Sequence, residues 1–329
     1  MSLRKKALVT GACGFVGTHM TKLLVEKGFR VRATDLADRR FEELGIEFMK
    51  ADLTEKESLE RVLGEVDFIF HTAALFSYSA SLEELERVNV LGVKNLYETA
   101  LDFKVERIIH WSSAEVYGIS SKKPLKESAP LRPKHSYGIS KLEGEKIALK
   151  FFRERALPIT ILRPTAILGP ESTYGAIKPI LMLAKGRMPI YPGDPDALSH
   201  FVHVEDVTRA ALHLSKREDA IGEIYNVADE NPLSSKELIS FLSKLLKKRE
   251  PMYLRLSKRL LERIATLFEY YARIFKKEPY LERDTIHLLY ENNVFDNTKL
   301  KRTGYTFTHP NTLKSLEKIL KWYKDRRFF

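Results

Sequence analysis

The sequence contains one cysteine, Cys13, among 329 residues. A single thiol cannot form an internal disulfide, and it excludes a metal site built from several cysteine thiolates. The sequence therefore predicts a chain that works in a reducing, cytoplasmic compartment.

Long apolar runs are also missing. No stretch reaches about 18 apolar residues, the length that a membrane-spanning helix needs. Residues 4–6 are basic and lead into a short apolar stretch that ends in glycines, a pattern that does not fit a signal peptide. Hydrophobic residues make up 44% of the chain and charged residues 30%, which is typical of a soluble globular protein with one large domain or two unequal lobes.

The net charge of +11 favours anionic partners such as nucleic acid or a membrane surface. No recognisable nucleic-acid motif or aromatic platform accompanies the charge, so we expect no nucleic-acid partner. Much of the charge is mixed with acidic residues, but the stretch 244–277 is rich in Lys and Arg interleaved with apolar residues.

Short β-branched runs alternate with amphipathic segments of helical length through the first half of the chain. This alternation predicts an α/β fold with a parallel sheet. The candidate strands are KALVTG, VRATD, EFMKAD, DFIFHTAA, RIIHWSS and ITILRPT. Candidate helices span 15–26, ending before Gly28, 89–102 and 137–155.

The pattern loosens after residue 168. We expect residues 1–168 to form a dinucleotide-binding domain, with returning elements near 198–228 such as FVHVEDV and EIYNVA. Residues 169–329 should form mainly a substrate-binding lobe, with a helix that opens at Ser234 or Ser235. Its first part carries prolines expected to break regular structure, at Pro179, Pro189, Pro192 and Pro195.

A glycine-rich turn, TGACGFVG, joins the first candidate strand to the first candidate helix. Glycine permits a tight turn, and it lets backbone N–H groups and the helix N-terminus reach a pyrophosphate. An ordinary strand-to-helix turn is the alternative. The candidate dinucleotide-binding residues here are Gly11, Gly14, Phe15, Val16 and Gly17.

Asp35 ends the second candidate strand, roughly 20 residues beyond the last of these glycines. A carboxylate there accepts hydrogen bonds from the adenosine ribose hydroxyls and repels a 2′-phosphate, so the sequence favours NAD as the cofactor. Arg32, Arg39 and Arg40 lie close in sequence and keep NADP as the less favoured alternative.

Tyr137 and Lys141 are one helical turn apart, so their side chains share a helix face. A tyrosine has an ordinary pKa of about 10. A neighbouring ammonium favours the phenolate, which makes Tyr137 the candidate proton donor or acceptor. Ser113 ends a candidate strand, where an open sheet places ligand-facing residues, and is the candidate hydrogen-bond partner of the same substrate oxygen. By itself the Tyr and Lys spacing also fits an exposed helix pair.

Together these motifs resemble the extended short-chain dehydrogenase/reductase superfamily over nearly the whole chain. The resemblance implies a Rossmann-type doubly wound parallel sheet, a smaller and mostly C-terminal α/β substrate-binding lobe, and NAD-dependent oxidoreductase activity. The matching segments are TGACGFVG, ADL (51–53), HTAA (71–74), NVLGV (89–93), SSAEVYG (112–118), YGISK (137–141), LRPTAILGP (162–170) and FVHVEDV (201–207).

The resemblance implies further cofactor contacts. Asp52 and Leu53 would border the adenine. Ala73 and Ala74 would border the ribose and the pyrophosphate, and Pro164 the nicotinamide.

The resemblance also implies chemical roles. Tyr137 would move the substrate hydroxyl proton, while Lys141 would tune the phenol and bind the nicotinamide ribose. Glu115 would be a second acid or base, as the corresponding residue is in sugar dehydratases, or else a solvated loop carboxylate. A non-catalytic nucleotide sensor on this fold would be expected to lack Tyr137 and Lys141.

Two branches of the superfamily fit the motifs. Nucleotide-sugar epimerases and dehydratases usually hold a diphosphate with an asparagine and an arginine. This chain has Ala166, Ser199 and His200 at those places, although Arg187 or Arg209 could replace the contacts. RPTAILGP, KGRMPIYPG and VFDNTKLKRTGY resemble the 3β-hydroxysteroid dehydrogenase-like branch instead. We therefore favour a secondary hydroxyl or ketone on an apolar sterol or isoprenoid-like substrate, with a sugar epimerase or dehydratase as the alternative.

Three further expectations concern partners. The amphipathic segment 257–280, with cations at both ends, either contacts an anionic membrane peripherally or packs on the core. The resemblance implies a homodimer formed by the helices that carry Asn89 and Tyr137. No metal site is expected, because the histidines in apolar runs have no metal-ligand spacing; these are His71, His110, His203 and His213.

Overall fold

The computed structural model of the chain describes residues 4–37, 45–78, 80–120, 123–275, 279 and 281–329. Its strands are β1 (Lys6–Thr10), β2 (Arg30–Thr34), β3 (Glu47–Phe48), β4 (Phe68–His71), β5 (Arg107–Trp111), β6 (Ile159–Pro164), β7 (Ala166–Leu168), β8 (Ile190–Tyr191), β9 (Leu198–Ser199), β10 (Phe201–His203), β11 (Ile224–Val227), β12 (Leu233–Ser234) and β13 (Met252–Tyr253). Its helices are α1 (Phe15–Glu26), α2 (Lys56–Leu63), α3 (Leu82–Glu86), α4 (Gly92–Ala100), α5 (Ser136–Arg155), α6 (Ile177–Ala184), α7 (Val204–Ser215), α8 (Ser235–Leu246), α9 (Lys258–Ile274), α10 (Thr298–Arg302) and α11 (Thr312–Asp325).

A parallel sheet organises the described part of the chain. Its strands follow the order β11-β6-β5-β4-β1-β2-β3, and every neighbouring pair is parallel. All six candidate strands lie in this sheet, and EIYNVA contributes β11 at one edge. Because the strands are parallel, their carboxyl ends share one edge, and the chain order reverses between β1 and β4. Doubly wound sheets bind ligands at this kind of switch point.

Helices cover both faces of the sheet, which explains why β1, β5 and β6 are buried along their whole length. On one face, α1 and α7 pack against the sheet through residues such as Met20 and Ala211. On the other face, α2, α4 and α5 contribute residues such as Leu59, Leu96 and Ala148.

A separate hydrophobic cluster lies mainly in the C-terminal part of the chain, with Leu168, Ile180, Tyr191, Leu242 and Tyr323 among its buried members. The helix expected near Ser234 is α8, whose N-cap is Ser234. Among the described residues, no helix combines the length and apolarity that crossing a bilayer requires.

Three sequence expectations need correction. FVHVEDV does not return to the main sheet, because β10 pairs with β7 and the chain turns into α7 at Val204. Pro179 does not break regular structure, since it lies in the first turn of α6, where a missing N–H costs no helical hydrogen bond. The helix expected over 89–102 begins with the π-helical turn Arg87–Leu91 and continues as α4.

A buried ion pair fixes α5 on the sheet. Arg163 on β6 and Glu145 on α5 are each 1% exposed and bind each other through two guanidinium nitrogens. Arg163 Nη1 also donates to the Tyr117 hydroxyl at 2.8 Å and to the Glu127 carbonyl at 3.0 Å. Ser112 Oγ donates to Glu145 Oε2 at 2.7 Å. These bonds tie α5 to the carboxyl ends of β5 and β6.

A Glu145→Gln variant keeps the side-chain shape and removes the charge that faces the Arg163 guanidinium. Breaking a buried ion pair from one side costs about 3–5 kcal/mol, so the free energy of unfolding in urea should fall by about 3 kcal/mol. Glu143→Gln, on the exposed side of the same helix, should change it by less than about 0.5 kcal/mol. Equal stability of the two variants would contradict this role of Glu145.

Candidate active site

The glycine turn between β1 and α1 is folded tightly onto its neighbours. Gly11 has φ +68°, and a Cβ there would lie 2.6 Å from the Cα of Ala73. A Cβ on Gly17 would lie 2.0 Å from the Gly11 carbonyl oxygen, to which the Gly14 N–H donates at 3.0 Å. A side chain at either position would therefore collide with neighbouring backbone. Glycine permits this tight turn of backbone N–H groups, which we call the cradle.

The amino end of α1 opens onto this cradle. Gly14 is the N-cap and offers no side-chain cap, and the described first turn carries no acidic residue. The ring of Tyr174 lies 6.3 Å from the ring of Phe15, in an edge-to-face arrangement, so a tyrosine side chain reaches the helix terminus. Val16 lies in the same helical turn. Because helix N-termini bind phosphate oxygens, the cradle fits the pyrophosphate of a dinucleotide.

Asp35 follows β2 and faces the glycine turn. Its Oδ2 accepts the Cys13 N–H at 2.9 Å, and its Oδ1 accepts the Ala37 N–H at 3.1 Å. A carboxylate has about four lone-pair sites, so each oxygen can still accept a ribose hydroxyl. This geometry fits the adenosine ribose of NAD.

Arg32 does not support the NADP alternative. Its guanidinium is buried and donates to the Val62 and Gly64 carbonyls at 2.8 Å and to Glu47 at 2.9 Å. Arg32 and Asp35 are three positions apart in the extended segment of β2, which places them on opposite faces. Arg39 and Arg40 lie outside the described residues.

The remaining expected cofactor contacts lie at the same edge of the sheet. Ala73 follows β4 and donates its N–H to Thr10 Oγ1 at 3.3 Å, with Ala74 next to it. The segment before Asp52 and Leu53 is held beside β2, because the Ala51 N–H donates to the Asp35 carbonyl at 3.3 Å. Pro164 is the last residue of β6.

Ser113, Tyr137 and Lys141 meet where β5 ends and α5 begins. Ser113 caps the short 3₁₀ turn Ala114–Tyr117, and its hydroxyl is close enough to the Tyr137 phenol to lower the pKa of that phenol. Lys141 is one turn further along α5, and its Nζ donates to the Trp111 carbonyl at 2.6 Å. The structure thus brings together three side chains that are distant in sequence.

The titration behaviour of Tyr137 differs from the sequence expectation. Burial raises the pKa of the phenol, and Tyr174 and Glu115 raise it further, while the Ser113 hydrogen bond lowers it. Lys141 is held on the Trp111 carbonyl. Burial lowers the pKa of Lys141 to about 8, with the Glu145 carboxylate acting in the opposite direction. In the structure, burial therefore outweighs the expected effect of the ammonium on the phenol.

Aromatic side chains that the sequence analysis missed pack against Tyr137. The ring of Phe76 lies 4.9 Å from the Tyr137 ring, and that of Tyr78 lies 6.0 Å from it. Tyr174 contacts Phe76 at 5.2 Å. The signal was the FSY tripeptide just after the strand end HTAA, whereas Tyr174 comes from a distant loop.

Asn89 positions the loop that carries these aromatic residues. Its Oδ1 accepts the Leu75 N–H at 2.8 Å, and its Nδ2 donates to the Leu75 carbonyl and to Ser140 Oγ, each at 3.0 Å. The π-helical turn Arg87–Leu91 brings Asn89 to this place. Asn89 therefore fastens the loop after β4 to α5.

Glu115 is not a solvated loop carboxylate. Its Oε2 lies 2.8 Å from His135 Nε2 and 3.5 Å from His287 Nε2, and Tyr78 donates to its Oε1 at 3.3 Å. Burial alone would raise the pKa of Glu115, but hydrogen bonds from the two histidines outweigh it and lower the pKa to about 2. His135 sits two residues before Tyr137, while nothing in the sequence around His287 marked it.

Two clusters place histidine and glutamate atoms within reach of one another: Glu115 with His135 and His287, and Glu205 with His203 and His309. In each cluster one ring accepts a backbone N–H at Nδ1, at His135 from Gly138 and at His203 from Glu205. In the neutral ring the opposite nitrogen then carries the proton and cannot ligate a metal. The expectation of no metal site remains a prediction.

His71 and His110 are buried at the ends of β4 and β5. Each has one partner, Thr10 for His71 at 2.8 Å and Tyr97 for His110 at 2.7 Å. Burial, followed by the Lys141 charge, lowers the pKa of His71 to about 3 and moves that of His110 in the same direction. Burial therefore favours the neutral form of both rings.

A Gly17→Ala variant should lose dinucleotide affinity by at least about tenfold, because its Cβ would press on the Gly11 carbonyl and deform the cradle. Titration calorimetry with NAD measures the change. Gly64→Ala is the matched control, because a Cβ at Gly64 meets nothing within 4 Å. If Gly17→Ala binds NAD with the affinity of the wild type, the cradle is not part of the dinucleotide site.

Lys141 should destabilise the folded chain at neutral pH. Its pKa of about 8 is below the ordinary value of 10.5, so the unfolded chain binds more protons between these values and stability rises with pH there. Lys141→Met should therefore be more stable than wild type by about 1–3 kcal/mol at pH 7, with the lost Trp111 bond opposing the gain. Urea unfolding should show a smaller difference in the free energy of unfolding between Lys141→Met and wild type at pH 10 than at pH 7.

Lys150→Met is the control for this experiment, because Lys150 lies on the same helix with an exposed side chain. It should change stability by less than about 0.5 kcal/mol at either pH. A difference between Lys141→Met and wild type that grew with pH would show that burial does not act on Lys141 in this way.

Comparison with known proteins supports these observations. Residues 7–228 match the sequence profile of the NAD dependent epimerase/dehydratase family. A sterol-4-alpha-carboxylate 3-dehydrogenase, decarboxylating, from Bos taurus is 31% identical over 74% of this chain and 69% of that protein. Sterol demethylase protein B of Methylococcus capsulatus is 29% identical over 97% of this chain and 98% of that protein.

Nucleotide-sugar enzymes are also among the relatives. A dTDP-D-glucose 4,6-dehydratase from Bos taurus is 28% identical over 75% of this chain and 74% of that protein.

Among solved structures, the crystal structure of gox2253 superimposes with a TM-score of 0.83 at 29% identity, and the match covers 99% of this chain and 100% of that chain. The profile match spans well over half of the chain. This protein is therefore an NAD-dependent enzyme of the extended short-chain dehydrogenase/reductase type and belongs to the NAD dependent epimerase/dehydratase family.

Proposed function

We propose that the enzyme interconverts a secondary hydroxyl and a ketone on an apolar, sterol- or isoprenoid-like substrate, with Ser113, Tyr137 and Lys141 as catalytic residues. The observation that carries this proposal is the aromatic wall of Phe76, Tyr78 and Tyr174 around the Tyr137 phenol. Aromatic rings offer large apolar contact areas, which suit such a substrate. The sterol enzymes among the relatives support the same substrate class.

In the oxidising direction, the Tyr137 phenolate accepts the proton of the substrate hydroxyl and becomes the phenol as the C–H bond of the same carbon breaks. Ser113 orients the phenol and holds the substrate oxygen. The Lys141 ammonium supplies positive charge that favours the phenolate before the proton is transferred, and Lys141 would bind the nicotinamide ribose. When bound, NAD would supply the hydride acceptor, which would yield a ketone and a reduced dinucleotide.

We also propose that the expected residues hold NAD as the resemblance implies. The glycine turn with Phe15 and Val16 would bind the pyrophosphate, and Asp35 the adenosine ribose. Their common position along the carboxyl edge of the sheet supports these roles. The expected contacts beyond this turn are Asp52, Leu53, Ala73, Ala74 and Pro164.

The boundary between the two functional parts of the chain is likewise a proposal. Residues 1–168 would bind the dinucleotide, and 169–329 would mainly bind the substrate. The second hydrophobic cluster of buried residues supports a separate substrate lobe. The return of β11 to the sheet supports the expectation that parts of 198–228 belong with the first domain.

The alternative, a nucleotide-sugar epimerase or dehydratase, draws on the dehydratase relative and on Glu115. The residues that would grip a diphosphate do not favour it. Ala166 offers only a methyl group, and His200 is buried, donating to the Asp229 carbonyl at 2.9 Å and accepting the Phe295 N–H at 3.2 Å. Arg209 lies on α7, 4.0 Å from Glu205.

We further propose two assemblies. Two copies would pair through the helices that carry Asn89 and Tyr137, since α4 packs on α5 and Leu91 is 44% exposed beside them. Light scattering coupled to size exclusion measures this state. Peripheral membrane contact through 257–280 is supported by the exposed apolar side chains of α9.

A Tyr137→Phe variant should lose at least about a thousandfold in turnover while NAD affinity changes less than about threefold, because the substitution removes a single hydroxyl. Net NADH formation from a 3β-hydroxysteroid measures turnover, and Tyr270→Phe, an exposed tyrosine, is the control. Retained turnover would refute the role of the phenol. Conversion of a nucleoside-diphosphate sugar without net NADH would favour the alternative function.

A further inference from the structure

Helix α9 presents an apolar surface to solvent. Leu267 is 68% exposed and Ile274 57% exposed, and such contiguous apolar side chains mark interaction sites. Leu260, Leu267, Tyr271 and Ile274 follow one another at intervals of seven, four and three residues. This helical spacing places the four side chains on one side of α9. This outer face consists of Leu260, Leu267, Tyr270, Tyr271, Ile274 and Phe275.

The charge beside the outer face selects an anionic partner. Arg259, Arg263 and Arg273 are exposed on α9 next to the apolar side chains. An amphipathic helix with an apolar face, boundary tyrosines and flanking arginines suits the interface of an anionic bilayer. The net charge of +11 adds attraction toward such a surface.

The opposite face of α9 packs on the 3₁₀ turn Arg283–Leu289. Leu261 and Ala265 are buried against Ile286. Glu269 of α9 accepts the Arg283 N–H at 2.7 Å. We call α9 together with this 3₁₀ turn the membrane-side cap.

The inner side of the cap reaches the active site. His287 lies 3.5 Å from Glu115, and its ring stacks on His135 at 5.2 Å. His135 is the N-cap of α5, directly before the turn that carries Tyr137. The cap thus joins the outer face to Glu115 and His135, beside the helical turn that carries Tyr137.

The cap is fastened to the rest of the C-terminal part. The Leu289 carbonyl accepts the Asp194 N–H at 2.9 Å. The Tyr290 hydroxyl lies 3.0 Å from the Pro192 carbonyl oxygen and 2.8 Å from the Leu256 carbonyl oxygen, and these two acceptors share its one proton. A surface that binds α9 would therefore hold the active site in one orientation.

We infer that α9 docks on an anionic membrane surface, and that the apolar substrate passes between the bilayer and Tyr137 beside the 3₁₀ turn Arg283–Leu289. A helix with its side chains is about 10–12 Å across, so a bilayer on the outer face lies about that far from the turn. An apolar substrate would then avoid a path through water. The route depends on the proposed apolar substrate, whereas docking does not.

Docking is tested without catalysis, by co-sedimentation of the protein with phosphatidylglycerol vesicles and with phosphatidylcholine vesicles at low salt. The wild type should bind the anionic vesicles at least about tenfold more tightly. A Leu267→Glu/Ile274→Glu variant should lose at least about tenfold in this affinity. Leu245→Glu, an exposed leucine of α8, is the control and should bind like the wild type.

The route is tested by kinetics on the same variants. The substrate is a 3β-hydroxysteroid embedded in anionic vesicles. For the Leu267→Glu/Ile274→Glu variant, called the α9 variant, KM should be at least about fivefold higher than for the wild type, and kcat should be unchanged. With a water-soluble secondary alcohol, both constants should match the wild type. Unchanged KM for the embedded steroid would overturn the route.

Failure to bind anionic vesicles, or equal binding by the α9 variant, would overturn docking whether or not the enzyme oxidises steroids. If the variant instead converts a dimer to a monomer and vesicle binding is unchanged, the outer face is an interface between copies and the inference is wrong. Loss of NADH formation from every secondary alcohol, with vesicle binding intact, would remove the proposed function and leave docking in place.

Discussion

The position of α5 depends on a charge pair buried where the sheet ends. An isolated arginine or glutamate could not remain ionised in that interior, so Arg163 and Glu145 hold each other, and Ser112 and Tyr117 supply the remaining bonds. Tyr117 extends the network to β11 through Asn226, at 2.6 Å. Because α5 carries both Tyr137 and Lys141, this network fixes the height of these two side chains above the carboxyl edge of the sheet.

The proposed cofactor side of the site depends on close packing of the backbone. Gly11 and Gly17 let the turn lie against Ala73 and the first turn of α1, and Asp35 holds the turn through the Cys13 N–H. On the substrate side, burial keeps Lys141 at a pKa of about 8 and raises that of Tyr137. Buried ionisable groups of this kind reduce stability, and active sites commonly retain them because the chemistry needs them.

The C-terminal part contributes to the site through few but specific contacts. His287 joins His135 at Glu115, so a carboxylate that follows Ser113 in sequence is held in part by a residue more than 170 positions away. The Tyr174 ring lies near the rings of both Phe76 and Phe15, which brings a loop from beyond the sheet over the glycine turn. The proposed substrate and cofactor surfaces therefore share residues.

The sequence by itself determined the six candidate strands of the first half, their order along the chain and the first helix. All six candidate strands and the helix bounds 15–26 agree with the structure, because buried β-branched runs, a glycine turn and a stop before Gly28 are local signals. Local spacing also placed Tyr137 and Lys141 on one helix and Ser113 at a strand end. The structure brings all three together, while their catalytic roles remain proposals.

Only the tertiary structure decided which side chains surround that triad. Pairing of β10 with β7, the Arg163–Glu145 ion pair, the use of Arg32 inside the fold and the approach of His287 all join residues that no short-range pattern connects. The tertiary structure also reversed the expected direction for the pKa of Tyr137, since desolvation depends on what packs around the phenol and not on its spacing from Lys141.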